Sequence, residues 1–297
     1  MKRIGPDRRL LLAGLAAFLA APRAYAGTLP PRVATIDWAV LETLLALGVT
    51  PVAATELVQF RSIAVEPAVP QEVADLGLRG TVNYELLQLL SPDLIFSSNF
   101  YAASEPRLAR IAPVERFSVY APGERPFEAA LAMTRRIGER LGVDEKAQRY
   151  VTGTEDELAR IADVVAGAGG RPVMPINLGD ARHFRAFGAD SMFGAVLGRL
   201  GIANAWSDGT RYSAMAPVGL EALARVPDAW IVLIAPTPPD ADRVLARSAF
   251  WNALPNVRAG RVLRLGPINP YGALPAARRF GRLLASALSD AEARGHG

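Results

Sequence analysis

One phrase in this chain is used twice: a helix that runs through Pro-Asp directly into an apolar strand. It occurs as Glu85-Leu-Leu-Gln-Leu-Leu-Ser-Pro-Asp93-Leu-Ile-Phe and returns as Glu221-Ala-Leu-Ala-Arg-Val-Pro-Asp228-Ala-Trp-Ile-Val. Upstream of each copy a helix stops at leucine, glycine and a β-branched residue, Leu47-Gly48-Val49 and Leu200-Gly201-Ile202. Glycine there supplies the left-handed conformation that closes a helix. The repeated order of helix, stop, helix and strand predicts two similar α/β lobes. Helices alternating with short β-rich runs elsewhere indicate parallel sheets. Two lobes enclose a cleft, and a cleft is where a ligand is held.

The lobes are predicted at residues 27–142 and 167–297, with a connecting helix at 143–166. Asp144 can open that helix as its N-cap, and Ala147, Tyr150, Val151, Leu158, Ile161, Ala162 and Val165 follow at helical spacing. Roughly 22 residues at 1.5 Å each span about 33 Å, the width of a domain. Such a rod is either a stiff spacer between lobes or an ordinary amphipathic surface helix, and the segment alone supports both. A short helix is predicted from Arg107 to Ala112 and a last one from Ala273 to Leu288, with a frayed tail from Ala293.

The N-terminus reads as an address. Lys2, Arg3, Arg8 and Arg9 precede the apolar run Leu10 to Ala21, and Ala24-Tyr25-Ala26 has the small-x-small pattern of a cleavage site. Residues 1–26 are therefore expected to be an export signal, cleaved near Ala26. The run is too short to cross a bilayer of about 30 Å. Arg8-Arg9 before Leu10-Leu11 is similar to a twin-arginine signal, but Asp7 replaces the usual Ser or Thr, so twin-arginine and general secretion both stand.

Charge follows from that reading. The chain has 33 basic and 29 acidic residues, and five of the basic ones with one acid fall within residues 1–26. The remainder is balanced, which removes the electrostatic case for a nucleic-acid partner. The chain has no cysteine, hence no disulfide framework and no thiol for lipid attachment. The expectation is a periplasmic protein, monomeric and not embedded in a membrane.

Catalytic and metal signatures are sparse. The two histidines are His183 and His296, and no clustered ligand set for a metal occurs. His183, between Arg182 and Phe184, reads as a structural hydrogen-bonding residue. There is no Gly-x-Ser-x-Gly elbow and no P-loop. Gly167-Ala-Gly169-Gly170 follows a helix and precedes a strand, the reverse of a dinucleotide loop. Nothing asks for catalysis or a cofactor, although a hydrolase built on carboxylates alone stays open.

Arg32-Val-Ala-Thr-Ile-Asp-Trp38, Leu44-Leu-Ala-Leu-Gly48, Asp75-Leu-Gly-Leu-Arg79, Arg110-Ile-Ala-Pro113, Arg182-His183 with Phe187-Gly188, Asn204-Ala-Trp206 and Tyr271-Gly272 lie in an order that resembles one family. These are the periplasmic ferric-hydroxamate (ferrichrome-type) siderophore-binding proteins of ABC importers, and the resemblance covers nearly the whole chain. It implies two Rossmann-like α/β lobes joined by one long rigid α-helix, no enzyme activity and no cofactor. The cargo iron would arrive wrapped by its siderophore, so the protein needs no metal ligands of its own.

The resemblance also implies roles. Arg79 and Tyr101 match the contacts to the iron-hydroxamate centre, where a guanidinium and a phenol donate to anionic oxygens. Trp38, Phe100, Tyr212 and Tyr271 are candidates for the apolar wall, while Trp206, Trp230 and Trp251 read as core. Relatives carry tryptophan where this chain has Ile63, Ser97, Ser213 and Asn269, and asparagine where it has Arg211. Those departures point to a ligand more anionic or polar than ferrichrome, such as a citrate-bearing hydroxamate, with Arg211 adding a cation to its site. Glu105 and Glu221, one per lobe, are candidates to meet arginines of the permease dimer; Glu221 equally fits a helix-start acid favoured by the dipole. Two alternatives remain: another chelate on the same fold (a citrate-type siderophore, haem or cobalamin), or an exported enzyme that reuses the scaffold.

Overall fold

The computed structural model describes residues 31–166, 170–210 and 215–295, and these build two five-stranded sheets. The expected export signal and Gly167–Gly169 lie outside the described residues. The first sheet comprises β1 (Val33–Thr35), β2 (Ala53–Ala54), β3 (Ala74–Asp75), β4 (Leu94–Ser98) and β5 (Val114–Phe117), ordered β3-β2-β1-β4-β5. Every pairing in it is parallel. All five residues of β4 are buried, as expected of a strand covered by helices on both faces. The covering helices are α1 (Trp38–Ala46), α2 (Leu57–Ile63), α3 (Tyr84–Leu89), α4 (Glu105–Leu108) and α5 (Pro126–Leu141).

The second sheet is ordered β10-β9-β6-β7-β8. Its strands are β6 (Val173–Leu178), β7 (His183–Ala186), β8 (Met215–Gly219), β9 (Trp230–Ile234) and β10 (Val262–Leu265). Here the expectation of two similar parallel sheets needs correction, because β7 runs antiparallel to both of its neighbours, β6 and β8. The cause is a short turn after β6. The Asp180 carboxylate accepts from the backbone N–H of Arg182 and His183 at 2.6 and 2.8 Å, and the His183 carbonyl accepts from Gly179 N at 3.0 Å. An aspartate turn this tight returns the chain as a hairpin, whereas a parallel neighbour needs a long crossover. His183 places Nδ1 at 3.0 Å from Asp180, the structural role expected of it.

Both predicted helix stops are present and alike. Gly48 and Gly201 each have φ of +71°. The next residue then donates five positions back, Val49 N to Leu44 O and Ile202 N to Leu197 O, both at 2.9 Å. The two Pro-Asp phrases differ more. The first copy is α3 followed by β4, but the second enters β9 from a 3-10 helix, Leu220–Arg225, rather than an α-helix. Three short helices follow β9: α8 (Ala241–Arg247), α9 (Ala249–Ala253) and α10 (Pro255–Arg258). The segment predicted as a helix from Arg107 is α4, which starts at Glu105 and ends at Leu108.

The connecting rod is α6 (Asp144–Val165), 22 residues long. Val143, not Asp144, holds the N-cap place. Asp144 and Glu145 sit in the first turn, where their charges complement the helix dipole. A second long helix, α11 (Leu274–Ala293), packs beside it and outruns its predicted end at Leu288. Arg278 and Arg282 of α11 pair with Glu157 of α6, and Arg279 and Arg282 pair with Glu66 beyond α2. One apolar cluster runs from Val40 and Leu44 of α1 through Leu158 of α6 to Trp230 of β9 and Phe280 of α11. The lobes therefore share a core, and opening the cleft widely would expose it.

The helix α7 (Met192–Arg199) offers a local test. Ser191 caps it, its Oγ accepting from Gly194 N at 3.0 Å and donating to Gly188 O at 2.7 Å. Ser191→Ala is expected to lower unfolding stability by about 1–2 kcal/mol, read from the urea midpoint at unchanged slope.

Candidate functional site

In the first sheet β1 has β2 on one side and β4 on the other, so the chain reverses its winding direction there. A crevice forms outside the carboxyl ends of the strands at such a switch point. The residues leaving β1 are Asp37 and Trp38, and those leaving β4 are Phe100 and Tyr101. Together with Arg79, which follows β3, and Tyr271, which follows β10, they line a cleft of about 360 Å³. That volume suits a small organic ligand or chelate.

Each side chain is held by identifiable contacts. Trp38 forms the floor: its Nε1 donates to Thr55 O at 3.0 Å, and its ring meets Phe60 edge-on at 5.4 Å. The Arg79 guanidinium lies 4.2 Å from the Trp38 ring centroid, a cation–π stack. Glu56 anchors Arg79 twice, accepting from its backbone N at 3.1 Å and its Nε at 2.7 Å. Glu56 itself has φ of +54°, a left-handed conformation uncommon outside glycine. Strain of that kind, held in place by surrounding contacts, clusters at functional sites.

Tyr101 breaks the 3-10 helix Asn99–Ser104 with a non-helical backbone, which turns its ring into the cleft. Burial, reinforced by the Asp37 carboxylate, pushes the Tyr101 phenol up to about 12. At neutral pH it keeps its proton and remains a donor. Asp37 caps α1, accepting from Val40 N at 3.0 Å. Its pKa is raised, chiefly by desolvation.

Tyr271 stands opposite on a strap anchored from below. Glu42 of α1, fully buried, accepts from Asn269 Nδ2 at 2.7 Å and from Ala273 N at 3.0 Å. Asn269 Oδ1 in turn accepts from Tyr271 N at 3.1 Å. Tyr120 donates its hydroxyl to Gly272 O at 2.5 Å. The strap lies so close to Glu42 that a Cβ on Gly272 would fall 2.6 Å from a carboxylate oxygen. Desolvation raises the Glu42 pKa to about 8, so this anchor is mostly a neutral acid at pH 7. Phe100, Tyr120 and Tyr271 complete the wall as three rings with centroids 5.8–6.4 Å apart.

Trp38, Arg79, Phe100, Tyr101 and Tyr271 thus come together along one cleft. Arg211, Tyr212 and Ser213 lie outside the described residues. Glu221 is exposed, whereas the Glu105 carboxylate is largely covered by a two-point pair with Arg116. The Arg116 hydrogen bond holds the Glu105 carboxyl below the usual range. The departures need reinterpretation. Ser97 and Asn269 are buried and absent from the cleft lining, and Ile63 is half-buried in a neighbouring recess. A smaller residue at Ser97 or Asn269 therefore alters what lies beneath the wall rather than its exposed face. Sequence reasoning missed Asp37, Glu42 and Glu56; nothing local marks the last two, whose partners are distant in the chain. Trp206, Trp230 and Trp251 are buried, as expected of core residues.

Residues 33–268 match the family described as periplasmic binding protein. The chain belongs to the periplasmic binding protein family. Such a protein binds solutes and is not an enzyme, which removes the hydrolase reading. Relatives in this periplasmic binding protein family include the iron(3+)-hydroxamate-binding protein FhuD of Escherichia coli K12. It is 32% identical over 260 residues, covering 87% of each chain. The achromobactin-binding periplasmic protein of Dickeya dadantii is 26% identical over 251 residues, covering 79% of this chain and 78% of that one. The structure of the siderophore-binding protein FhuD from Vibrio cholerae, bound to Fe3+-Desferal, superposes with a TM-score of 0.81 at 25% identity. It covers 88% of this chain and 98% of that one. Among the described residues no helix is long and apolar enough to cross a membrane, and no cluster of three His, Cys, Asp or Glu is placed to hold a metal.

Proposed function

We propose that this periplasmic protein captures a ferric hydroxamate-type siderophore in the cleft and delivers it to an inner-membrane ABC permease dimer. The observation that carries the reading is the convergence of Arg79 and Tyr101 on one aromatic-walled cavity. A hydroxamate presents anionic oxygens around its iron, and these accept from a guanidinium and from a phenol that keeps its proton. The iron stays with its chelator, so the protein supplies hydrogen bonds, charge and apolar surface. The hydroxamate ligands of the Escherichia coli and Vibrio cholerae relatives support this class. The achromobactin-binding relative keeps a chelate of another kind as the second reading.

Further parts belong to the same proposal. Residues 1–26 direct export, 27–142 and 167–297 form the lobes, and 143–166 join them. Glu105 and Glu221 meet the permease, with Glu105 first exchanging its Arg116 partner. Arg211 and Tyr212 belong to the same ligand-binding set.

The test is a tryptophan-fluorescence titration with the ferric complex of Desferal and with iron-free Desferal. Trp38 forms the cleft floor, so a bound iron chelate is expected to quench emission saturably while the iron-free form quenches little. No saturable quenching by any ferric hydroxamate, alongside saturation by haem or cobalamin, would move the protein to another chelate class.

A further inference from the structure

We propose that Arg185 forms an anion subsite on the second-lobe wall of the cleft, which takes a carboxylate of the ligand that is not bound to iron. This rests on the siderophore reading and names a feature of the cargo. Arg185 lies on β7, directly opposite Asn177 of β6 in the antiparallel register. Both line a second recess of about 130 Å³, with Ile63, Phe187, Ile234 and Pro270 among its apolar walls. The Arg185 guanidinium is 5.9 Å from the centroid of Tyr271. Since Tyr271 also lines the main cleft, Arg185 stands where the recess and the cleft adjoin.

The charges around the cleft single this arginine out. Arg79 is already countered by Glu56 at 2.7 Å and faces the buried Asp37. Arg185 has no carboxylate partner among the described residues, and no acid lines its recess. Asn177 does not answer it with charge, and its Nδ2 is held by Ile234 O at 2.7 Å and Pro236 O at 3.2 Å. A half-buried guanidinium between apolar walls presents a planar fork of donors, geometry suited to a carboxylate. The same charge repels a ligand with a cationic arm, so the subsite discriminates in both directions. The cargo is therefore a ferric hydroxamate carrying a free carboxylate.

A matched pair of chelates tests this. The ferric complex of Desferal carries a pendant ammonium, and the ferric complex of N-succinyl-Desferal carries a pendant carboxylate on the same iron centre. Wild-type protein is expected to bind the succinylated complex at least about tenfold more tightly, the scale of one charge-assisted contact. Arg185→Leu is expected to abolish that preference while still binding the ammonium complex, which shows that the variant is folded. Equal wild-type affinities, or a preference that survives in Arg185→Leu, would overturn the subsite and leave the siderophore reading intact. Failure of wild-type protein to bind either complex would remove both.

Discussion

Arg79→Ala is expected to weaken binding of a ferric hydroxamate by about 1.5–3 kcal/mol, roughly a ten- to hundredfold rise in Kd. Two effects add. The ligand loses a charge-assisted donor, and Glu56 loses the cation that holds its carboxylate at 2.7 Å. An unmasked acid beside the cleft then repels the anionic oxygens of the chelate. The contributions separate in the double variant Glu56→Gln/Arg79→Ala, which removes the repulsion but not the loss of the donor. Recovery of part of the affinity in the double variant is the expected outcome of a fluorescence titration. Arg79→Lys is expected to fall between wild type and alanine, because an ammonium keeps the charge but loses the planar stack on Trp38 at 4.2 Å. An Arg79→Ala affinity within about 0.5 kcal/mol of wild type would remove Arg79 from the binding site, since a lost charged hydrogen bond costs more than that.

The second large effect is on stability. Glu42→Ala leaves Asn269 Nδ2 and Ala273 N without their acceptor in the interior. Each orphaned donor costs about 1–3 kcal/mol, so a loss of about 2–6 kcal/mol is expected by urea unfolding. The strap bearing Tyr271 loosens as well, so ligand affinity falls with stability. The pH dependence has a definite sign. Glu42 titrates near 8 when folded and near its ordinary 4.5 when unfolded. Between those values the folded protein holds more protons, so stability declines as pH rises from about 4.5 to 8. Asp37 is shifted in the same direction, chiefly by desolvation, and adds to the same slope. Glu42→Gln removes the titrating group but leaves an amide –NH2 that cannot accept, so one of the two bonds is lost. It is expected to be less stable than wild type at pH 5 and to show a flatter pH profile up to pH 8. A slope identical to wild type would mean that Glu42 is ionised in the folded protein.

The elements legible in the sequence were those governed by neighbours a few residues away. Gly48 and Gly201 announced helix ends because a positive φ is a local demand. The strands at Leu94 and Trp230 were visible as unbroken apolar runs after Pro-Asp. The antiparallel β7 was not foreseen, since it follows from how Asp180 bends the chain back onto β6 rather than from any pattern within the strand. An acid suits both the cap and the first turn, so local sequence does not separate the two places for Asp144.

The residues that line the cleft divide in the same way. A resemblance spread over ordered motifs was enough to single out Trp38, Arg79, Phe100, Tyr101 and Tyr271. It could not say that Ser97 and Asn269 are buried beneath the wall, nor that Glu105 is already paired with Arg116.

By itself the sequence determined two α/β lobes, a long helix of 22 residues and the aromatic and basic residues available to a cleft. Only the tertiary structure decided which charges are neutralised there. Glu56 meets Arg79 across 23 positions, while Glu42 reaches Asn269 across 227. Coulomb and hydrogen-bond energies depend on distance in space and on burial, and chain separation encodes neither.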